Sequence, residues 1–166
     1  RVPEMEEAEE ILRRSQVDPR QGLVDRRERE PLLQLGLIES ERPVEHGVSA
    51  FLTDALLAWI ERQRGPWFAH ASYFRPHPPY AAAGHFARAY DPAALPLPIA
   101  PATGRHGLHD GLMVHRETAA PRGEAAIRQL RAQYFGMASE VDHQLGRVWQ
   151  ALERLGQWND TWILVT

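Results

Sequence analysis

A change from an aromatic, apolar run to a proline-rich loop constrains this chain more than any other feature. Residues 67–74 are rich in aromatic side chains, which favour the pleated, half-buried surface of a β-strand. Prolines follow at positions 76, 78 and 79, and because proline cannot donate a backbone hydrogen bond, the strand has to end there. The sequence therefore predicts a strand over residues 67–74, followed by a stiff, extended loop.

Two side chains of this loop are candidates for chemistry. Arg75 and His77 stand at the predicted carboxyl end of the strand, where open α/β sheets bind their ligands. An arginine and a histidine together suit a tetrahedral oxyanion such as phosphate or sulfate. The alternative is that the neighbouring prolines order His77 for structural reasons only, and the local sequence does not decide between the two interpretations.

Helical patterns flank the predicted strand on both sides. Residues 48–64 carry an apolar stripe of helical period before it, and residues 124–155 carry a longer one after it. Residues 161–166 form an apolar, β-branched run that is typical of a buried parallel strand. Strand, crossover helix and strand make a right-handed βαβ unit, so the sequence predicts an α/β fold with a parallel or mixed sheet flanked by helices.

Local signals mark the ends of the two helices. Ser49 is a candidate N-cap of the first helix, and Gly156 stands where a C-terminal glycine cap ends the second. Gly136 and Gly146 lie inside the second helix, where each costs about 1 kcal/mol relative to alanine. Their presence predicts either close backbone packing at these positions or a break into two helices.

Segments without a clear period lie outside this unit. Residues 80–121 hold many of the prolines and four of the eight histidines, so we expect a lid, an active-site loop, an oligomer contact or an insertion there, outside the core. The sequence predicts a short surface helix over residues 3–14, and either a strand or a packing loop over residues 32–38. The chain thus divides into a variable lead-in (1–47), a helix with strand and loop (48–79), a lid or insertion (80–121), and a long helix with a strand (122–166).

Composition limits the classes of protein to which the chain can belong. The formal net charge of −3 gives no electrostatic reason to expect nucleic acid or an anionic membrane as a partner. Cysteine is absent, which excludes disulfides, thiolate metal sites and a cysteine nucleophile within these 166 residues. All 19 basic residues are arginine, which excludes a lysine base here and is typical of a GC-rich bacterial genome. This bacterial-type composition slightly favours the cytoplasm, and no pattern specifies the compartment.

The other histidines give weaker signals than His77. His106, His109 and His115 come nearest to a metal cluster, but their spacing does not place them on one helical face, and a solvated loop is favoured. His70 alternates with its neighbours in the predicted strand, which favours a core histidine with satisfied hydrogen bonds. We therefore expect no metal ligands in this segment.

Two groups of residues together resemble the sulfatase-type hydrolases of the alkaline phosphatase superfamily. The first joins residues 66–70 to the arginine-proline-histidine-proline-proline-tyrosine run at 75–80, which is similar to a run in the phosphonate monoester hydrolase and phosphodiesterase branch. The second group resembles the long helix and the strand that precede the family's aspartate-histidine-glycine metal motif. It comprises residues 131–137, 140–142, 145–148 and 155–161.

This resemblance covers residues 48–166, with residues 80–124 matched only loosely. It implies a partial alkaline-phosphatase-like sheet and a parent enzyme with a formylglycine nucleophile and a divalent metal such as Ca, Mn or Mg. It also implies that His77 is the histidine that contacts the ester and assists the leaving group. Because the nucleophile, the metal ligands and a catalytic lysine of the family have no counterparts here, we expect an internal fragment that is inactive alone.

The function implied by the resemblance is hydrolysis of small-molecule sulfate esters, phosphodiesters or phosphonate monoesters. The resemblance is also compatible with a homo-oligomer. A non-catalytic remnant or interaction domain that retains the fold is the first alternative. A phosphate-transferring relative, such as a phosphoglycerate mutase or a nucleotide pyrophosphatase, is the second. A cysteine-x-proline-x-arginine motif upstream and an aspartate-histidine-glycine motif downstream would distinguish an enzyme from a remnant.

Overall fold

The structure, a computed structural model, describes residues 42–100, 104, 106–114, 121 and 123–166. The predictions made for residues 3–14 and 32–38, with most of the lead-in, lie outside these residues.

Helices supply the regular structure of the described part of the chain. They are α1 (Val48–Ile60), α2 (Gly107–Val114) and α3 (Glu124–Arg154), with short 3₁₀ helices at Val44–His46, Gly84–Arg88, Pro92–Ala94 and Trp158–Asp160. The two predicted helices are confirmed, although α1 ends at Ile60 and not at residue 64. Within the residues described, no helix combines the length and apolar character needed to cross a membrane.

An apolar cluster joins α1 to the C-terminal half of α3. Ile60 of α1 is buried together with Val148 and Leu152 of α3. The Trp59 and Trp67 rings pack against this cluster and meet edge to face, with centroids 5.8 Å apart. Such a ring pair contributes about 0.5–1.5 kcal/mol beyond the burial of its area, so the tryptophans help to fix the crossing of the two helices.

Ion pairs join the same two helices at their exposed rims. Arg147 contacts Asp54 at 2.6 Å, and Arg154 contacts Glu61 at 2.9 Å. Exposed pairs of this kind contribute at most about 1 kcal/mol each, so the apolar cluster and not the charges holds α1 against α3.

The two predicted strands do not form, and the expectation that residues 67–74 and 161–166 are strands within this chain is wrong. Neither segment belongs to a β-ladder, and no strand occurs among residues 42–100 or the other described residues. A strand requires a hydrogen-bonded neighbour, and neither segment has one among the described residues. Apolar side chains of both segments are exposed as a result, with Phe68 at 86% and Leu164 at 88%.

Side-chain hydrogen bonds nevertheless anchor both segments to the helices. The Tyr73 hydroxyl lies 2.8 Å from Oγ1 of Thr53, a fully buried residue of α1. Trp67 Nε1 donates to Gln157 Oε1 at 3.2 Å, and Thr161 Oγ1 donates to the Gln157 carbonyl at 2.7 Å. Gln157, just after α3, therefore contacts both segments.

The cap predictions have opposite outcomes. Gly156 adopts φ +68°, Gln157 N donates to Leu152 O at 2.8 Å, and Gly156 N donates to Glu153 O at 3.0 Å, which confirms a glycine cap of Schellman type. The prediction of Ser49 as N-cap is wrong, because α1 begins at Val48 and has Gly47 as its cap, two residues before Ser49. Ser49 lies inside the helix and is buried there.

A second apolar cluster places residues 81–87 against the middle of α3. Ala82, Phe86 and Ala87 are buried with Met137 of α3, and Gly136 lies directly beneath them. The expectation that the segment at 80–121 lies outside the core is therefore wrong for residues 81–87. Its assignment as a lid or insertion stays a prediction.

Gly136 permits this close approach. A Cβ at this position would lie 2.3 Å from the Phe86 carbonyl oxygen and 3.0 Å from Ala82 Cβ. The helix continues through Gly136 without a break. Of the two alternatives predicted from the helix glycines, close packing is confirmed at Gly136, whereas nothing lies within 4 Å of a Cβ at Gly146.

We expect Gly136→Ala to destabilise the whole protein by about 1–3 kcal/mol, because the new methyl group would displace the Phe86 backbone from α3. The matched control is Gly146→Ala, which should stabilise the same helix by about 0.5–1 kcal/mol through its helix propensity. Thermal or denaturant unfolding of the two variants measures the difference. A Gly136→Ala variant as stable as the Gly146→Ala variant would contradict this packing.

Candidate functional site

The loop at residues 75–79 is a short, closed turn. His77 N donates to the Phe74 carbonyl at 3.1 Å, and Ala81 N donates to the Pro79 carbonyl at 2.9 Å. The Arg75–Pro76 and Pro78–Pro79 peptide bonds are cis. The turn presents His77 at its tip, where the side chain is exposed.

Two contacts orient the imidazole of His77. Nδ1 lies 2.8 Å from the Pro78 carbonyl oxygen, and the ring packs on Phe74 with centroids 4.5 Å apart. Because a carbonyl oxygen can only accept, this hydrogen bond assigns the proton to Nδ1. Nε2 is then the nitrogen with which the ring can contact a ligand, as an acceptor when neutral and as a donor when protonated.

Arg75 turns into the protein. Its Nη1 donates to the Pro79 carbonyl at 2.5 Å and to Met137 Sδ at 2.7 Å, and Met137 is fully buried. Burial lowers the pKa of the Arg75 guanidinium, Glu140 opposes this effect, and Arg42 adds to it. The guanidinium therefore closes the turn around His77. A substrate contact of Arg75 stays a prediction, and it would involve nitrogen atoms other than Nη1.

The backbone that follows the turn donates hydrogen bonds to polar side chains of α3. Ala82 N donates to Gln133 Oε1 at 3.2 Å, and Ala83 N donates to Glu140 Oε2 at 3.3 Å. Both acceptors are almost completely buried. Neither residue was predicted as part of the site, because the helical pattern rests on the apolar positions of α3. The available signal was that polar residues occupy two positions of the face of α3 that packs on the rest of the protein.

The other histidines do not gather near His77. His70 is exposed, so the prediction of a core histidine is wrong for the structure described here. His106 and His109 are exposed, with His106 Nδ1 accepting a hydrogen bond from Leu108 N at 3.1 Å. His115 lies outside the described residues. In the part of the chain that is described, no three His, Cys, Asp or Glu residues are placed to hold a metal ion.

A groove of about 470 Å³ runs between the two segments that were predicted as strands. Residues 69–73, 75, 76 and 161–166 line it, together with Ile60, Val148 and Leu152 of the two helices. Arg75 and Pro76 are among its lining residues, so the groove reaches the turn that carries His77.

Comparison with known proteins identifies the family of the chain. A family model described as Sulfatase matches residues 15–166. The multifunctional alkaline phosphatase superfamily protein PehA of Trinickia caryophylli is 35% identical over 143 residues, which cover 76% of this chain and 28% of PehA. The expected resemblance to sulfatases of the alkaline phosphatase superfamily is therefore confirmed.

Two solved structures are similar to the chain. The phosphonate monoester hydrolase of Agrobacterium radiobacter matches with a TM-score of 0.61 and 30% identity, over 77% of this chain and 28% of that enzyme. The phosphonate monoester hydrolase SpPMH of Silicibacter pomeroyi matches with a TM-score of 0.61 and 29% identity, over 93% of this chain and 34% of that enzyme.

Both neighbours have alkaline-phosphatase-like α/β folds, and the predicted fold class agrees with them at that level. The chain spans only about a third or less of the length of each relative. Since the family model matches most of its residues, the chain belongs to the sulfatase family.

Proposed function

We propose that the chain is an internal part of a metal-dependent hydrolase that cleaves sulfate esters, phosphodiesters or phosphonate monoesters. The observation that carries this proposal is the exposed imidazole of His77, held by a closed turn in a member of the sulfatase family. Two of the similar structures are phosphonate monoester hydrolases, which supports a phosphonate or phosphate ester among the three substrate classes.

His77 is proposed to bind the ester through Nε2 and to assist departure of the leaving group. The hydrogen bond from Nδ1 to the Pro78 carbonyl fixes the ring plane and leaves Nε2 directed away from that carbonyl. A protonated imidazole can donate to the leaving oxygen as negative charge develops on it. The Arg75 guanidinium adds a positive charge behind the turn, which favours an anionic ligand at its tip.

The family also uses a divalent metal and a formylglycine nucleophile. The sequence contains no cysteine, and the described residues hold no cluster that fits a metal ion. We propose that other parts of the whole protein supply both groups. The step assigned to this chain is limited to contact with the ester and its leaving oxygen.

The same larger protein would complete the sheet. Residues 67–74 and 161–166 expose apolar side chains, and a strand paired with either segment would satisfy its backbone N–H and C=O groups. In this arrangement the turn with His77 lies at the carboxyl end of a strand, as in open α/β sheets that bind ligands there. Homo-oligomer formation stays a prediction.

Replacement of His77 by alanine in the whole protein should lower kcat/KM by about 100-fold or more, the usual scale for a positioned acid. The loss should be smaller for esters with good leaving groups, since these need less protonation as they depart. The measurement is a series of aryl phosphonate or aryl sulfate esters whose leaving groups differ in pKa.

The matched control for this series is His143→Ala, which removes an exposed imidazole from α3 outside the turn. It should leave kcat/KM unchanged for every ester. If His77→Ala behaves like His143→Ala, then His77 is a structural residue of the turn.

Residues 1–166 expressed alone should show no turnover of these esters with any divalent cation, whereas the whole protein should lose activity on chelation and regain it with Ca, Mn or Mg. The expectation follows because the sequence has no cysteine and the described residues hold no cluster that fits a metal ion. Cation-dependent turnover by the isolated segment that His77→Ala abolishes would contradict the division proposed here. A whole protein without hydrolase activity would favour the non-catalytic remnant.

Amide hydrogen exchange of the whole protein tests the completed sheet. Residues 67–74 and 161–166 should exchange as slowly as the buried part of α3, because strand pairing protects their N–H groups. Fast exchange in both segments, with slow exchange in α3, would show that they remain unpaired loops.

A further inference from the structure

Three polar side chains are buried on the packed face of α3. Gln133 is 0% exposed, and Glu140 and Gln144 are each 1% exposed. A buried amide or carboxylate costs free energy unless hydrogen bonds or charges compensate it. Each of these residues should therefore have a specific partner, and those of Gln133 and Glu140 lie in the segment that follows His77.

Gln133 holds that segment at both of its ends. Its Oε1 accepts from Ala82 N at 3.2 Å, and its Nε2 donates to the Ala87 carbonyl at 2.9 Å. One amide thus satisfies a donor and an acceptor of the irregular backbone between residues 82 and 87. These two hydrogen bonds fix the distance between the segment and α3.

Glu140 lies where three parts of the structure meet. Its Oε2 accepts from Ala83 N at 3.3 Å. Its Oε1 lies beside Gly47, the N-cap of α1, since a Cβ there would come within 3.2 Å of it. The N-terminus of a helix carries partial positive charge, which stabilises a carboxylate at this position.

Glu140 also interacts with Arg75. The carboxylate raises the pKa of the guanidinium against the effect of burial, so it favours the charged form of Arg75. Arg75 in turn donates to the Pro79 carbonyl across the turn. Because Arg75 precedes His77 by two residues and Pro79 follows it by two, this hydrogen bond closes the turn around the imidazole.

We propose that Glu140 is a positioning residue for His77. It acts from the buried face of α3, through the charge of Arg75 on one side of His77 and the backbone of Ala83 on the other. The inference rests on the proposed function, because it supposes that His77 contacts the ester. The inference adds that the orientation of the His77 imidazole depends on a carboxylate that contacts neither substrate nor metal.

The experiment compares Glu140→Ala, Glu140→Gln and Glu153→Gln in the whole protein. Glu140→Ala removes the charge and the acceptor for Ala83 N, and Glu140→Gln keeps an acceptor of similar size but removes the charge. Glu153→Gln is the matched control, because Glu153 is an exposed glutamate of the same helix. We expect Glu140→Ala to lower kcat by about 10-fold to 100-fold, Glu140→Gln to lower it less, and Glu153→Gln to leave it unchanged.

A double-mutant cycle with His77→Ala separates positioning from a general loss of stability. In the His77→Ala background, Glu140→Ala should cause little further loss, and both single variants should lose most activity on esters with poor leaving groups. Rates are referred to the amount of folded protein, measured below the unfolding midpoint of each variant. Glu140→Gln preserves the shape of the site and serves where Glu140→Ala fails to fold.

Two results would overturn the inference in distinguishable ways. In the first, His77→Ala slows the reaction, but the Glu140 variants keep full turnover per folded molecule, or their loss of kcat adds to that of His77→Ala in the double variant. Glu140 then serves stability alone. If His77→Ala itself has no effect, the proposed role of His77 is wrong and the positioning role falls with it.

Discussion

The close contact between α3 and the segment after His77 is the constraint on which the rest of the structure depends. Gly136 lets the Phe86 carbonyl approach the helix, where a Cβ would lie only 2.3 Å away. With the segment at this distance, Gln133 and Glu140 reach the N–H groups of Ala82 and Ala83. A glycine, an amide and a carboxylate spaced along one helix face therefore set the position of an irregular loop.

The helices were predictable from the sequence because their signals are local. The period of α3 and its glycine cap depend on residues within a few turns of one another, and both were confirmed. The strands depend on neighbours, and the described residues provide none for residues 67–74 or 161–166. An apolar, aromatic pattern indicates that a segment fits a sheet, but it does not show where its hydrogen-bonding partner lies.

The candidate site was predictable in part for a similar reason. The proline-rich run identified the turn and His77, since prolines restrict the backbone wherever they occur. The inward direction of Arg75 was not predictable, because it depends on Met137, a residue 62 positions away in the chain. The burial of Glu140 was not predictable either, because a charged residue in a helix is expected at the surface unless its long-range partners are known.

The central claim is that the turn aims His77 Nε2 at the bound ester while Arg75 faces inward. A crystal structure of the whole protein with inorganic phosphate in its site measures this directly. The account predicts His77 Nε2 within about 2.6–3.2 Å of a phosphate oxygen, with Nδ1 still bonded to the Pro78 carbonyl and Arg75 Nη1 to the Pro79 carbonyl. An imidazole turned away from the phosphate, with Arg75 Nη1 released to bind it, would contradict the account.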